Sequence, residues 1–124
     1  MPIDIQVISD KNLTIFAVKG EVTFDEGMAV LQAFYGSNPT LYSLWDIREG
    51  TLSKITSEEI DRIVDFLAEV SASRMGGKTA GVVAKDIDFG IARMFEAISE
   101  IRKYKPKVRI FRQIDHAMNW LFGN

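Results

Sequence analysis

Cysteine is absent from the 124 residues, and histidine occurs once. The first absence excludes a disulfide framework, a thiol nucleophile and a thiolate metal site. The second excludes a multi-histidine metal centre and leaves any Ser-His-Asp triad dependent on His116 alone. His116 stands beside Asp115 near the end of the chain and reads as a surface residue. No apolar run approaches the roughly 20 residues that a membrane-spanning helix needs. The opening Met1-Pro2-Ile3-Asp4 has neither the basic stretch nor the apolar core of a secretory signal, so a cytoplasmic protein is expected. Linkers, internal repeats and low-complexity segments are missing too. A complete G-x-x-x-x-G-K-[ST] phosphate loop is not found. Gly76-Gly77-Lys78-Thr79 has only its tail, runs toward a strand, and reads as a helix stop. Neither a catalytic group nor a metal site nor a cofactor is expected.

What remains is an ordinary globular composition, 47% hydrophobic and 26% charged, of a length that suits one domain over residues 1–124. The net charge of −2 conceals an asymmetry. Residues 1–70 carry 12 acids and 5 bases, net −7, and residues 71–124 carry 5 acids and 10 bases, net +5. The bases gather in Arg102, Lys103, Lys105, Lys107, Arg109 and Arg112. Such a segment can meet a phosphate backbone, anionic headgroups or an acidic partner. Its structural reading is a solvated helix end running into an edge strand, where lysine and arginine discourage sheet-to-sheet aggregation.

The stretch Leu41-Tyr42-Ser43-Leu44-Trp45-Asp46 reads as the central strand, buried by helices and ending in a carboxylate. Before it, Ile3 to Val7 alternates as an edge strand, Ser9 to Asn12 turns, and Leu13 to Val18 returns, closed by Gly20. Thr23-Phe24-Asp25-Glu26 is a capping box opening a helix with the apolar stripe Phe24, Met28, Leu31 and Tyr35, stopped by Gly36 to Pro39. A loop of eight to ten residues is expected after Asp46. A second capping box, Thr56 to Glu59, then starts a helix that buries Ile60, Ile63, Val64, Leu67 and Val70 and leaves Asp61, Asp65 and Glu69 in solvent. Gly76-Gly77 is expected to end it. Thr79 to Ala84 is a buried strand, and Asp86 or Asp88 caps a third helix with Ile91, Met94, Phe95, Ile98 and Ile101 as its buried stripe. After Pro106 come a strand, Lys107 to Phe111, and a short helix from Asp115 with Ala117, Trp120 and Leu121 on one face. The order is β-β-α-β-α-β-α-β-α. It implies an α/β fold with a mixed sheet, parallel except for one edge strand, and helices covering it.

Ligands of open α/β sheets bind beyond the carboxyl ends of the strands, which directs attention to Asp46. A carboxylate there needs a partner, and Arg48, Lys85 or Arg93 can serve, because the segments after Asp46 and Ala84 open at the same sheet end. The structural reading is a loop anchor, and the functional reading is a polar contact for a ligand or partner. Without a companion base or metal, Asp46 is a poor general acid–base catalyst. Trp45, Phe89, Met94, Phe95, Trp120 and Phe122 could line an apolar pocket; most belong to core stripes, and Phe89 and Phe122 are expected to be the exposed ones.

Three stretches carry a family likeness: Leu44-Trp45-Asp46-Ile47-Arg48, Gly90-Ile91-Ala92-Arg93-Met94-Phe95, and Val108-Arg109-Ile110-Phe111 with Ala117…Trp120-Leu121. They resemble the SpoIIAA-like family, whose fold is akin to the STAS domains of anti-sigma factor antagonists. The resemblance spans nearly the whole chain and implies protein–protein regulation, with a distant structural likeness to lipid-carrier domains. STAS antagonists carry an Asp-Ser-Ser-Gly turn with a phosphorylated serine. The corresponding stretch is Lys54-Ile55-Thr56-Ser57-Glu58, which lacks the acid and the glycine. Thr56 or Ser57 could accept a phosphate at the helix N-terminus, against repulsion from Glu58 and Glu59. The expected function is a non-catalytic binding or regulatory module acting through a protein partner. The alternative is a carrier or sensor of an apolar, lipid-like molecule held between sheet and helices, and a third is nucleic-acid binding through residues 102–112. Homodimerisation is compatible with any of them. A carrier needs a cavity of a few hundred cubic ångströms, whereas a module needs an exposed apolar patch.

Overall fold

The computed structural model describes residues 2–123. Five strands form one sheet in the order β1-β2-β3-β4-β5. They are β1 (Ile3–Ile8), β2 (Leu13–Glu21), β3 (Tyr42–Thr51), β4 (Lys78–Val82) and β5 (Lys107–Phe111). Only the β1–β2 pair is antiparallel, as the tight Ser9–Lys11 turn requires, and every later strand returns parallel through a helix. The helices are α1 (Phe24–Gly36), α2 (Ser57–Val70), α3 (Asp86–Ile101) and α4 (Ile114–Phe122). The element order is the one the sequence implies.

Alternation along the strands assigns the two layers. Phe16, Val18 and Ile47 turn toward the face covered by α1, α2 and α3, where they meet Val30 and Ala92. Leu13, Leu44, Ala80 and Val82 turn to the other face, which α4 covers with Ala117 and Leu121. Both capping boxes form where expected, with Thr23 and Thr56 accepting from the amides of Glu26 and Glu59.

Several boundaries differ from the sequence reading. β3 does not stop at Asp46 but runs to Thr51, paired with Lys19, Gly20 and Glu21 across a register shift after Ala17. The expected long loop shrinks to residues 52–56 because this pairing satisfies backbone groups that a loop would leave to water. Helix α2 ends at Val70, and a 3-10 turn over Ala72–Arg74 intervenes before Gly76-Gly77, so the glycines open β4 instead of stopping a helix. β4 itself ends at Val82, short of Ala84. Neither Asp86 nor Asp88 caps α3; the N-cap residue is Lys85, without a side-chain bond. Helix α4 starts at Ile114, one residue before Asp115.

Arg74 is 1% exposed, and no local pattern in the sequence around it marks it as buried. Its Nε donates to the Thr40 carbonyl at 2.8 Å. Nη1 donates to the hydroxyls of Tyr104 (2.7 Å), Tyr35 (2.9 Å) and Thr79 (3.1 Å). Nη2 donates to the Leu41 carbonyl (3.0 Å), the Ser43 hydroxyl (3.1 Å) and the Lys78 carbonyl (3.2 Å). The guanidinium also lies 5.5 Å from the centre of the Phe34 ring. All seven acceptors are neutral, and they belong to α1, to the segment entering β3, to the starts of β3 and β4, and to the turn after α3. Gly77 permits this crossing, since a Cβ there would lie 2.0 Å from the Leu41 carbonyl oxygen. Burial raises the Tyr35 phenol well above its usual range, Tyr104 adds to that, and Arg74 opposes it, so Tyr35 remains a neutral hydroxyl.

Removing Arg74 strands these acceptors in the interior. Arg74→Ala is expected to cost about 3–5 kcal/mol. Arg74→Lys should recover little of that, because an ammonium cannot span the same fork. Urea unfolding measures both, and a loss under about 1 kcal/mol would contradict the reading.

Candidate functional site

At the carboxyl end of the sheet Asp46 finds its partner two residues along the same strand. Arg48 donates through Nε to Oδ1 and through Nη2 to Oδ2, both at 2.8 Å, and its amide reaches Oδ1 at 3.2 Å. The two-pronged bond to Arg48 holds the Asp46 carboxyl below its ordinary range, against a smaller opposing effect of burial. Asp46 lies two residues after Leu44 in β3, shares its face, and therefore sits on the α4 side of the sheet. Asp115, in the first turn of α4, adds to the negative potential around Arg48.

The other two partners considered for Asp46 go elsewhere. Lys85 donates to the Gly50 carbonyl at 3.0 Å, and Arg93 pairs with Glu96 at 3.2 Å. Lys85 instead joins the two strand ends through the backbone of the extended β3. Asp88 completes that junction. Its Oδ1 accepts from the Thr51 hydroxyl at 2.9 Å and the Leu52 amide at 2.7 Å, while the buried Oδ2 has no partner among the described residues. Phe89 is half-buried, not exposed, and lies under two guanidinium groups, Arg112 at 4.4 Å and Arg93 at 5.7 Å. Phe122 is likewise half-buried, with its ring 5.1 Å from that of Tyr42. The five candidate residues thus fall into an Asp46–Arg48 pair on the α4 side and a Lys85, Phe89 and Arg93 set on α3.

The amino end of α2 presents Thr56 and Ser57 in solvent. The Thr56 oxygen already accepts from the Glu59 amide at 3.2 Å, and Ser57 is the first helical residue. Asp61 and Asp65 are not free solvent carboxylates as expected; both bind Arg102, the former at 2.8 Å, which ties α2 to the end of α3. Arg112 pairs with Asp86 at 2.9 Å. The basic cluster is therefore partly engaged internally, leaving Lys103, Lys105, Lys107 and Arg109 exposed. Lys78, from the would-be phosphate loop, donates to the Trp120 carbonyl at 2.7 Å and holds the end of α4. His116 is exposed on α4.

Helix α3 carries the largest departure. The inward residues are Asp88, Ala92, Phe95 and Ser99, with Phe95 half-buried. The expected stripe of Ile91, Met94, Phe95, Ile98 and Ile101 is split: Ile91 and Ile98 are half-buried, while Met94 is 38% and Ile101 76% exposed. Ile87, at 57%, extends the outer row to 87, 91, 94, 98 and 101, alternating by four and three residues. The sequence contained this signal, because an apolar arc that wide on a helix has more to bury than one neighbour covers.

Between the sheet and the helices α1, α2 and α3 lies an apolar cavity of about 120 Å³, lined by Leu31, Trp45, Ile63, Phe95 and Ile110 among others. It occupies the place proposed for an apolar ligand, at a volume below the few hundred cubic ångströms that a carrier needs.

No protein-family model matches the chain, and no curated protein is similar to it in sequence. A solved structure with the same architecture is that of an uncharacterised protein of the DUF3478 family with a SpoIIAA-like fold, from Shewanella loihica PV-4. The two share 16% identity at a TM-score of 0.57, over 96% of this chain and 91% of that one. The chain has a SpoIIAA-like fold. At that identity the likeness is one of fold. Among the described residues, no helix is long and apolar enough to cross a membrane.

The Asp46–Arg48 pair has a testable pH signature. A depressed folded-state pKa stabilises above the unfolded value of 3.8 and loses that contribution as pH falls through the folded one. The wild type should therefore exceed Asp46→Asn by about 0.5–1 kcal/mol near neutrality, given the pair's partial exposure. The gap should begin to shrink as pH falls below about 4 and go on shrinking as Asp46 protonates. Urea titrations at several pH values measure it, and a gap that is the same at neutral and at acid pH would contradict the pairing.

Proposed function

We propose that this protein is a small, non-catalytic binding module that acts through a protein partner docked on the outer face of α3. The observation that carries the reading is the exposed row Ile87, Met94 and Ile101, backed by Ile91 and Ile98. The row runs from Ile87 to Ile101, 14 helical steps or about 21 Å. A contiguous apolar patch of that kind on a soluble domain marks an interaction site. A SpoIIAA-like fold is consistent with such a regulatory role.

Other features favour this reading over its rivals. The Asp46 carboxylate is engaged by Arg48 on both oxygens, which suits an anchor better than a proton acceptor. The cavity of about 120 Å³ falls short of the roughly 300–1,000 Å³ of ordinary ligand sites, which argues against an acyl-chain carrier. The module reading needs an exposed apolar face, and α3 offers one.

Affinity capture from the native host with wild type and with Met94→Glu/Ile101→Glu tests the proposal. At least one protein should be retained by wild type and reduced tenfold or more by the double variant. Circular dichroism melts should coincide within a few degrees, because both side chains point to solvent. Identical recoveries with the two baits would contradict the assignment of the face.

A further inference from the structure

The last strand of the sheet leaves a second surface whose chemistry is more specific than an apolar row. β5 is an edge strand. Its Lys107 amide bonds the Gly77 carbonyl, and its Phe111 carbonyl accepts from the Val83 amide. In a parallel ladder the backbone groups that reach one neighbour come from alternate residues, here 107, 109 and 111. The N–H and C=O groups of Val108 and Ile110 therefore point away from the sheet. Beside them runs a cleft of about 540 Å³ between β5 and the second half of α3, with Glu96 and Glu100 on the helix wall and Lys107, Arg109 and Trp120 on the opposite wall. The Ser99 hydroxyl at its base is buried and has no partner among the described residues. Glu100, Lys107 and Arg109 are exposed and form no ion pair among the described residues.

We propose that this cleft accepts an extended segment of another protein as a sixth strand, with basic side chains toward α3 and acidic ones toward the α4 face. Strand addition takes its affinity from main-chain hydrogen bonds and its specificity from alternate side chains. A strand laid along β5 continues both faces of the sheet. One set of its side chains meets Glu100 and, beside its partner Arg93, Glu96, and the alternate set meets Lys107 and Arg109. The occupant is thus a segment alternating Lys or Arg with Asp or Glu. A second copy of β5 does not fit, because an antiparallel two-fold pairing centred on Arg109 sets two arginines against each other. The same lysine and arginine that discourage self-pairing of an edge admit an acidic partner. The proposal goes beyond the α3 docking face, which is a different surface, and does not depend on it.

The test titrates an acetylated, amidated peptide of four Lys-Glu repeats into isotopically labelled protein at physiological salt, followed by amide chemical shifts. Saturable shifts should centre on Val108 and Ile110. Affinity should fall at least tenfold for a peptide N-methylated at alternate residues, and likewise for Val108→Pro, which removes an outward donor while leaving the β4 ladder intact. If Val108→Pro does not fold, Glu96→Lys/Glu100→Lys replaces it, with the same tenfold loss expected. Equal binding of the N-methylated peptide would overturn the proposal, as would the absence of saturable binding at 1 mM. A dimer of the free protein that Val108→Pro dissociates would give the edge to a second copy and overturn it too.

Discussion

A guanidinium group with no carboxylate partner among the described residues sits at the amino ends of the parallel strands, and the surrounding segments are arranged to satisfy it. Transfer of such a charge from water costs several kcal/mol even after relaxation. Each hydrogen bond to a charged group returns about 1.5–3 kcal/mol, so Arg74 is tolerable only with nearly every N–H engaged. Its acceptors come from α1, from the entry and start of β3, from the start of β4 and from the turn after α3. None of these segments can shift without leaving a donor or acceptor unmatched in the interior. The group therefore acts less as a source of net stability than as a specification of how four chain segments meet.

The carboxyl ends of the strands are closed by a different device. Asp88 grips the hydroxyl and amide at the end of β3, and Lys85 caps the Gly50 carbonyl. With both ends of the sheet sealed by internal polar contacts, and the space between sheet and helices filled to within about 120 Å³, the interior offers little room for a ligand. The surfaces left uncovered are an apolar row along α3 and a free strand edge flanked by charge of both signs. Among the described residues, no further element packs beyond α3 or β5, which leaves both surfaces open.

The element order was legible in the sequence because the helices announce themselves. Thr23 to Glu26 and Thr56 to Glu59 are complete capping boxes, and the strand ending in Trp45-Asp46 is too apolar to lie elsewhere than in a buried sheet. What was not legible follows from tertiary pairing. The continuation of β3 through Ile47 to Thr51 looks like a polar loop until β2 supplies its ladder. Arg74 sits amid Ser71 to Gly77, a stretch with no periodicity, and nothing local distinguishes a buried arginine from a solvated one. On α3 the apolar residues cover two faces, and periodicity alone merged them, since the inward row runs through Asp88 and Ser99 and the outward row through isoleucines. At the candidate site, Asp46 was found by its place in the strand. Its partner needed the structure, because three cations lay within plausible reach.

The measurement that bears most directly on this account is hydrogen exchange of the arginine side-chain Nε–H groups, followed by nuclear magnetic resonance. If Arg74 is the sealed centre of the fold, its Nε–H should exchange only through global unfolding, with a protection matching the unfolding free energy. The Nε–H of Arg109, which is exposed and forms no ion pair among the described residues, provides the fast reference. Exchange of Arg74 at the rate of Arg109 would mean that water reaches the guanidinium, and the Arg74 network would not be what holds the strand ends together.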